Sequence, residues 1–250
     1  MDLIGVVHLL PLPGSPLDAG MTGALARAED DARAWIDGGA DALIVENFGD
    51  VPFPRGAAEP VTVAAMTRAV QRVRALAGEL PVGVNVLRND AESALSIAHV
   101  CGARFVRVNV HVGAAVTDQG VIQSRAARTL RLRSRLGAEV EIWADVAVKH
   151  AASLGESDPR QEARDAVERG LADALIVTGP ATGERPDMAR IDAVRGAVPT
   201  SRLLAGSGVT PEIATLLRDR VDGAIVGTWA KRDGRVDSDR VARLKSAFGG

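Results

Sequence analysis

Two groups of residues in this 250-residue chain have the types and spacing to do chemistry. The first is a run of small residues, Leu204-Ala205-Gly206-Ser207-Gly208-Val209-Thr210-Pro211, followed about one element later by Gly227-Thr228. Glycines let an anionic oxygen approach backbone amides. Thr210 followed by Pro211 opens a helix whose N-terminus adds positive potential. Gly206, Ser207, Gly208, Gly227 and Thr228 are therefore predicted to hold a phosphate, with tight turns as the plain structural alternative. The second group is polar and closes apolar runs: His8, Glu46, Asn85, Arg107, Asn109, Asp145 and Thr178. Burying such groups is costly unless they are paired with each other or used on a ligand.

The chemistry open to the second group is proton transfer and anion stabilisation. Glu46 and Asp145 are the general acid/base candidates, because a carboxylate in a closed pocket can have its pKa tuned. His8 serves equally as a proton shuttle, a metal ligand or a hydrogen-bonded core histidine. Asn85, Arg107 and Asn109 would orient hydroxyls or stabilise a developing anion. Lys149 and His150 follow the fifth apolar run, His111 follows Asn109, and Lys231 follows Gly227-Thr228. Lys149 is a catalytic candidate, with a loop position arguing against a Schiff base. Thr178, His111, His150 and Lys231 are candidates for further substrate contacts.

Something must bring these residues together. Eight apolar runs recur: Leu3–His8, Ala42–Asn47, Val82–Leu87, Phe105–Asn109, Val140–Val146, Ala174–Thr178, Leu203–Gly206 and Ala224–Gly227. They are short and rich in Val, Ile and Leu, as parallel strands covered on both faces are. Helical patterns lie between them, over 22–37, 61–77, 91–100, 124–136, 161–169, 187–197, 211–219 and 239–248. Strand and helix alternating eight times predict an α/β fold, one (β/α)8 TIM barrel with a parallel eight-stranded core spanning residues 1–250. An open doubly wound sheet would carry its glycine loop after the first strand, where this chain has Leu10-Pro11-Leu12-Pro13-Gly14. Side chains alternate across a strand. His8 therefore shares a face with Ile4 and Val6, Asn85 with Gly83, Arg107 with Asn109, and Asp145 with Glu141 and Trp143. Three helix-to-strand turns also resemble one another: Gly-Ala-Asp-Ala-Leu-Ile-Val at 39–45, Leu-Ala-Asp-Ala-Leu-Ile-Val at 171–177, and Val-Asp-Gly-Ala-Ile-Val at 221–226.

Composition narrows the partners. Hydrophobic residues make up 46 % of the chain, the net charge is −2, aromatics are 3 % and Tyr is absent. That balance gives no field to draw nucleic acid and no stacking platform for bases. Arg125, Arg128, Arg131, Arg133 and Arg135 spread around one helix and read as a solvated face. No apolar run reaches the 18 or so residues of a membrane span, and no signal-peptide pattern opens the chain, so a cytoplasmic protein without membrane insertion is expected. The single cysteine, Cys101, sits in an apolar run and reads as an inert thiol. No His/Cys/carboxylate spacing suits zinc, so no cofactor is expected. Mg²⁺ shared by carboxylates and a substrate phosphate is the one cation this inventory accommodates. The partner expected is a phosphorylated small molecule, and a homo-oligomer is the general expectation for barrels.

Longer motifs carry a family likeness. They include Gly5-Val6-Val7-His8-Leu9-Leu10-Pro11-Leu12-Pro13-Gly14-Ser15-Pro16, Glu46-Asn47-Phe48-Gly49-Asp50, Glu59-Pro60-Val61-Thr62-Val63-Ala64-Ala65-Met66, Gly83-Val84-Asn85-Val86-Leu87, Phe105-Val106-Arg107-Val108-Asn109, Ala144-Asp145-Val146, Lys149-His150-Ala151 and Gly227-Thr228-Trp229. On these the chain resembles the BtpA/SgcQ family from end to end. The stretch Lys231–Asp237 looks slightly shortened against it. The resemblance implies a ribulose-phosphate-binding type of barrel, similar to the class of the tryptophan synthase α subunit. It leaves two expectations. One is an enzyme of sugar-phosphate or nucleoside metabolism, working by isomerase, lyase or glycosidic-bond chemistry. The other is a non-enzymatic biogenesis factor, since one family branch is linked to photosystem I biogenesis.

Overall fold

The computed structural model describes residues 1–18, 20–146, 152–153, 158–179 and 184–249. Eight strands close into a barrel. They are β1 (Asp2–His8), β2 (Ala42–Glu46), β3 (Val82–Asn85), β4 (Phe105–Val108), β5 (Glu141–Val146), β6 (Ala174–Thr178), β7 (Arg202–Gly206) and β8 (Gly223–Val226). Each pairs in parallel with the next, and β8 returns to β1. Around them lie α1 (Met21–Asp37), α2 (Pro60–Ala77), α3 (Ala91–Cys101), α4 (Ala126–Leu136), α5 (Pro159–Arg164), α6 (Met188–Ala197), α7 (Pro211–Leu217) and α8 (Ser238–Ala247). Five residues of π-helix, Asp165–Arg169, prolong α5. No helix among the described residues is long and apolar enough to cross a membrane.

Alternation divides the strands between two cores. Leu3, Val7, Leu43, Val45, Val106 and Ala144 face outward and pack under the helices. Ile4, Val6, Ile44, Phe105, Trp143, Ile176, Leu204 and Ile225 face inward and fill the barrel. The strands thus present apolar residues on both faces, which is why they read as near-continuous runs. The interior has a floor. Phe105 and Trp143 stack with centroids 3.5 Å apart at 8°. Gly83 makes room for them, since a Cβ there would run into the Phe105 ring. Beneath, the Arg202 guanidinium lies 4.8 Å from the Trp143 ring centre and donates to Asp2 at 2.8 Å.

The three similar turns share one device. Asp41 accepts from the amide of Leu3, Asp173 from that of Ile142, and Asp222 from that of Leu203, each at 2.7 Å. Each aspartate's own amide donates back to the carbonyl of the same residue. A cation completes each pair of links: Lys245 on Asp41, Arg133 on Asp173 and Arg195 on Asp222. Burial pushes the Asp222 pKa up, but the Leu203 amide and Arg195 outweigh it and hold the group below its ordinary value.

Four of the eight strands, β2, β3, β4 and β8, end one or two residues before their apolar runs predict. Asn47 leaves β2 and turns its side chain to Asp50 and to the amide of Leu87. A hairpin after β4, Ala114–Thr117 with Gly120–Gln123, has no counterpart in the sequence expectation. It pairs with Ala152–Ser153 and so ties the segment after β4 to the one after β5. Its four-residue strands are too short for period-2 alternation to stand out. Two arginines of α4 lie against neighbouring carboxylates, Arg128 on Glu92 at 3.2 Å and Arg133 on Asp173 at 2.7 Å.

Cys101 ends α3 with its Sγ 3.6 Å from the Thr67 carbonyl. Burial raises the thiol pKa above its ordinary 9.0. Less thiolate is therefore present at neutral pH than in an unhindered thiol. We expect iodoacetamide to modify Cys101 more slowly than free cysteine at pH 7.5, the gap narrowing as the pH passes the raised pKa. Labelling at the free-cysteine rate, read by mass spectrometry, would contradict this placement.

Candidate active site

The inward-facing polar residues gather at the C-terminal ends of the strands, directly above the apolar filling. Register places His8 beside Glu46, and Glu46 beside Asn85. Arg107 is the centre of the group and is 5 % exposed. Its Nε lies 3.3 Å from both Asp145 carboxylate oxygens, Nη2 reaches Asp145 Oδ1 at 3.1 Å, and Nη1 reaches Glu46 Oε1 at 3.2 Å. Burial alone would lower the guanidinium pKa. Asp145 and Glu46 outweigh burial and raise it. Asn85 donates to Glu46 Oε1 at 3.2 Å, and Asn109 donates to Asp145 Oδ2.

A second chain of contacts leaves Glu46 on its other side. His8 Nε2 is 3.8 Å from Glu46 Oε2, and His8 Nδ1 is 2.8 Å from Lys231 Nζ. As an ammonium Lys231 donates to Nδ1. That places the ring proton on Nε2, facing the carboxylate. Burial lowers the Lys231 pKa from its ordinary 10.5, partly opposed by Asp31. Lys231, His8 and Glu46 form a line, hydrogen-bonded at the Lys231–His8 step and at ion-pair distance at the His8–Glu46 step. The His8 ring is tilted against Phe48 with centroids 4.4 Å apart.

A cavity of about 180 Å³ opens beside this line. It is lined by His8, Glu46 and Arg107 from the polar ring and by Ser207, Gly208, Gly227, Thr228 and Trp229 from the two loops. The loop geometry is specific to its residues. Ser207 and Gly208 have φ of 72° and 62°, and a Cβ on Gly208 would run into the Glu184 carbonyl oxygen. Gly206 lies below, against Thr178 and Ile176, and Gly227 leaves space for the His8 ring. Thr210 caps α7 by accepting from the Ile213 amide at 3.3 Å.

A second cavity of about 330 Å³ lies on the other side of Glu46 and Arg107. Phe48, Val51, Phe53 and Leu87 line it together with Asn85, Arg88, Asn109 and Asp118. Arg88, 6 % exposed, adds a second buried guanidinium. Burial lowers its pKa, against the pull of Asp145. Nothing in the sequence pattern singles out Arg88, because Leu87-Arg88-Asn89-Asp90 reads as a solvated loop. Asp50 was equally hidden. It is buried and accepts from the Leu12 amide at 2.7 Å, so it braces the loops that follow β1 and β2. Burial raises its pKa, the Leu12 amide opposing.

The structure therefore brings together His8, Glu46, Asn85, Arg107, Asn109, Asp145, Lys231 and the two glycine loops. Thr178 sits at the same level, fully buried, with its Oγ1 unpartnered among the described residues. His111 lies in neither cavity. Its Nε2 is 2.7 Å from the Gly170 carbonyl oxygen, and burial lowers its pKa. The chain has turned away from the barrel axis beyond Asn109, so strand parity no longer aims that side chain. Lys149 and His150 lie outside the described residues. Among the described residues no group of three His, Cys, Asp or Glu side chains is placed to hold a metal ion.

The BtpA family profile matches residues 1–249. The photosystem I biogenesis protein BtpA of Synechocystis is 45 % identical over 94 % of this chain and 82 % of its own length. The putative sgc region protein SgcQ of Escherichia coli is 34 % identical over 97 % of this chain and 92 % of its own. Among solved structures, thiamine phosphate pyrophosphorylase from Pyrococcus furiosus superposes with a TM-score of 0.61 at 16 % identity, covering 99 % of this chain and 95 % of the other. 3-Keto-L-gulonate-6-phosphate decarboxylase from Vibrio cholerae gives 0.60 at 16 % identity, covering 99 % and 96 %. At such identities these two likenesses speak for the barrel fold.

Proposed function

The chain belongs to the BtpA family, and on that premise we propose that it is an enzyme acting on a phosphorylated, sugar-containing small molecule. The observation that carries this reading is the buried group Glu46–Arg107–Asp145, of which Glu46 and Arg107 line the cavity bordered by the loops after β7 and β8, while Asp145 holds Arg107 from behind. In barrels of this kind, phosphate sites typically use those two loops, and catalytic groups come from strand ends. Names within the family point in different directions, and the Synechocystis relative is named for photosystem I biogenesis. For this chain the buried charges favour an enzyme. Ionised groups at such depth are costly, and a barrel serving only as scaffold has no need of them where aliphatic side chains fill the layer below.

In the proposed reaction the phosphate sits against Ser207, Gly208, Gly227 and Thr228. Glu46 takes or gives a proton at the carbon or oxygen above it, and His8 and Lys231 adjust its charge. Arg107, held by Asp145, steadies an oxyanion as it develops. Isomerisation, retro-aldol cleavage and glycosidic-bond chemistry all draw on this inventory.

Ligand-dependent unfolding tests the reading. Ribose 5-phosphate should raise the melting temperature while ribose does not, with about 2.7 kcal/mol of stabilisation at a hundred times its dissociation constant. Lys231 adds positive charge beside the cavity only while protonated. Affinity should therefore fall as pH rises through its lowered pKa, which lies below 10.5. In Lys231→Met affinity should be about tenfold weaker near neutral pH, with that alkaline decline gone. A panel of pentose and hexose phosphates that leaves melting unchanged would overturn the proposal.

A further inference from the structure

The second cavity holds features that phosphate binding does not use. Phe48 and Val51 are 41 % and 44 % exposed, yet both stand at the edge of a deeply buried polar ring. With Phe53 and Leu87 they make part of the cavity lining apolar. The Asn85 and Asn109 amides and Arg88 make another part polar. Asn109 spends its Nδ2 on Asp145, and its Oδ1 is buried without a partner among the described residues. Such an acceptor is costly to leave unmet, and a donor on a bound ligand would satisfy it. The two cavities share Glu46 and Arg107 as lining residues, so they adjoin at that pair. Ligand pockets usually run to about 300–1,000 Å³. The phosphate-side cavity alone falls short of that, and the pair together does not.

We infer that the second cavity seats a flat aromatic ring bearing an N–H donor, carried on the same molecule as the phosphate, so that the ligand is nucleotide-like rather than a simple sugar phosphate. This rests on the function proposed above for the first cavity. The phosphate lies at the loops after β7 and β8, and the sugar crosses Glu46 and Arg107. The ring meets the Phe48–Val51–Phe53 loop and the Asn85 and Asn109 amides. Aromatic side chains reward a planar ring over a sugar hydroxyl, and the amide acceptor selects among rings.

Calorimetric titration with three classes of probe separates the two readings. Adenosine and cytidine 5′-monophosphates are compared with ribose 5-phosphate and with the unphosphorylated nucleosides. At least one nucleoside monophosphate should bind about tenfold or more tighter than ribose 5-phosphate. Phe53→Ala and, separately, Val51→Ala should erase most of that advantage and leave ribose 5-phosphate affinity as it was. Both positions are partly exposed loop sites, and an unchanged melting temperature checks folding. Monophosphates that bind no tighter than ribose 5-phosphate would overturn the inference, and so would variants that weaken both ligands alike. If phosphates fail to bind while a nucleoside binds and loses affinity in Phe53→Ala, the aromatic seat stands and the phosphate reading falls. If nothing in the panel binds, both fall.

Discussion

Replacing Arg107 with methionine should lower the unfolding free energy by about 3–5 kcal/mol, the range found when one partner of a buried ion pair is removed. The guanidinium makes four hydrogen-bond contacts to two carboxylates, and all three side chains are buried. Without it Glu46 and Asp145 lose the cation between them in a low-dielectric space, while Asn85 and Asn109 still donate to them and His8 still stands beside Glu46. Urea unfolding at pH 7.5 measures the loss. Neutralising the group together, with Arg107→Met, Glu46→Gln and Asp145→Asn, should recover much of the loss. A single Arg107→Met variant as stable as the parent at pH 7.5 would mean that this ring is open to water and not the sealed group described.

Gly208→Ala should weaken ribose 5-phosphate binding by about 10- to 100-fold with a smaller effect on melting temperature. A residue other than glycine at φ near 60° costs on the order of 1–3 kcal/mol where the surroundings hold it there. Here the added carbon also meets the Glu184 backbone, so the loop must move. The loop forms a wall of the small cavity, and its movement displaces the groups proposed to meet the phosphate. Titration calorimetry on parent and variant reads the change. Equal affinities would remove this loop from the phosphate site.

Much of the scaffold is legible in the sequence because barrel strands leave a strong mark. Their apolar runs are uninterrupted, and inside them parity sorts each residue to one side. Ile4, Val6 and His8 do share the interior, as do Phe105 and Arg107, and Trp143 and Asp145. Parity holds only while the chain is extended, which is why it aims Arg107 correctly and says nothing of His111. The polar ring could be listed from strand ends, but its pairing could not. Arg107 meets Asp145 across 38 positions and Glu46 across 61, and Lys231 meets His8 across 223. Outside the glycine loops and Lys231, residues that reach the site from loops left no chemical pattern. Arg88, Phe48 and Phe53 occupy segments whose turn-rich composition reads as solvent-facing, and tertiary placement overrode that reading.

The aspartates at the three similar turns, Asp41, Asp173 and Asp222, all lie at the opposite end of the barrel from Glu46 and Asp145. Each fastens one strand to its neighbour: β1 to β2, β5 to β6, and β7 to β8. The molecule thus keeps its architectural carboxylates and its candidate chemical ones on separate decks, with a full layer of packed hydrocarbon between them. Loops on the upper deck can be rewritten for a new ligand without loosening the joints below. A lineage built on this plan can change what it binds while the frame stays constant.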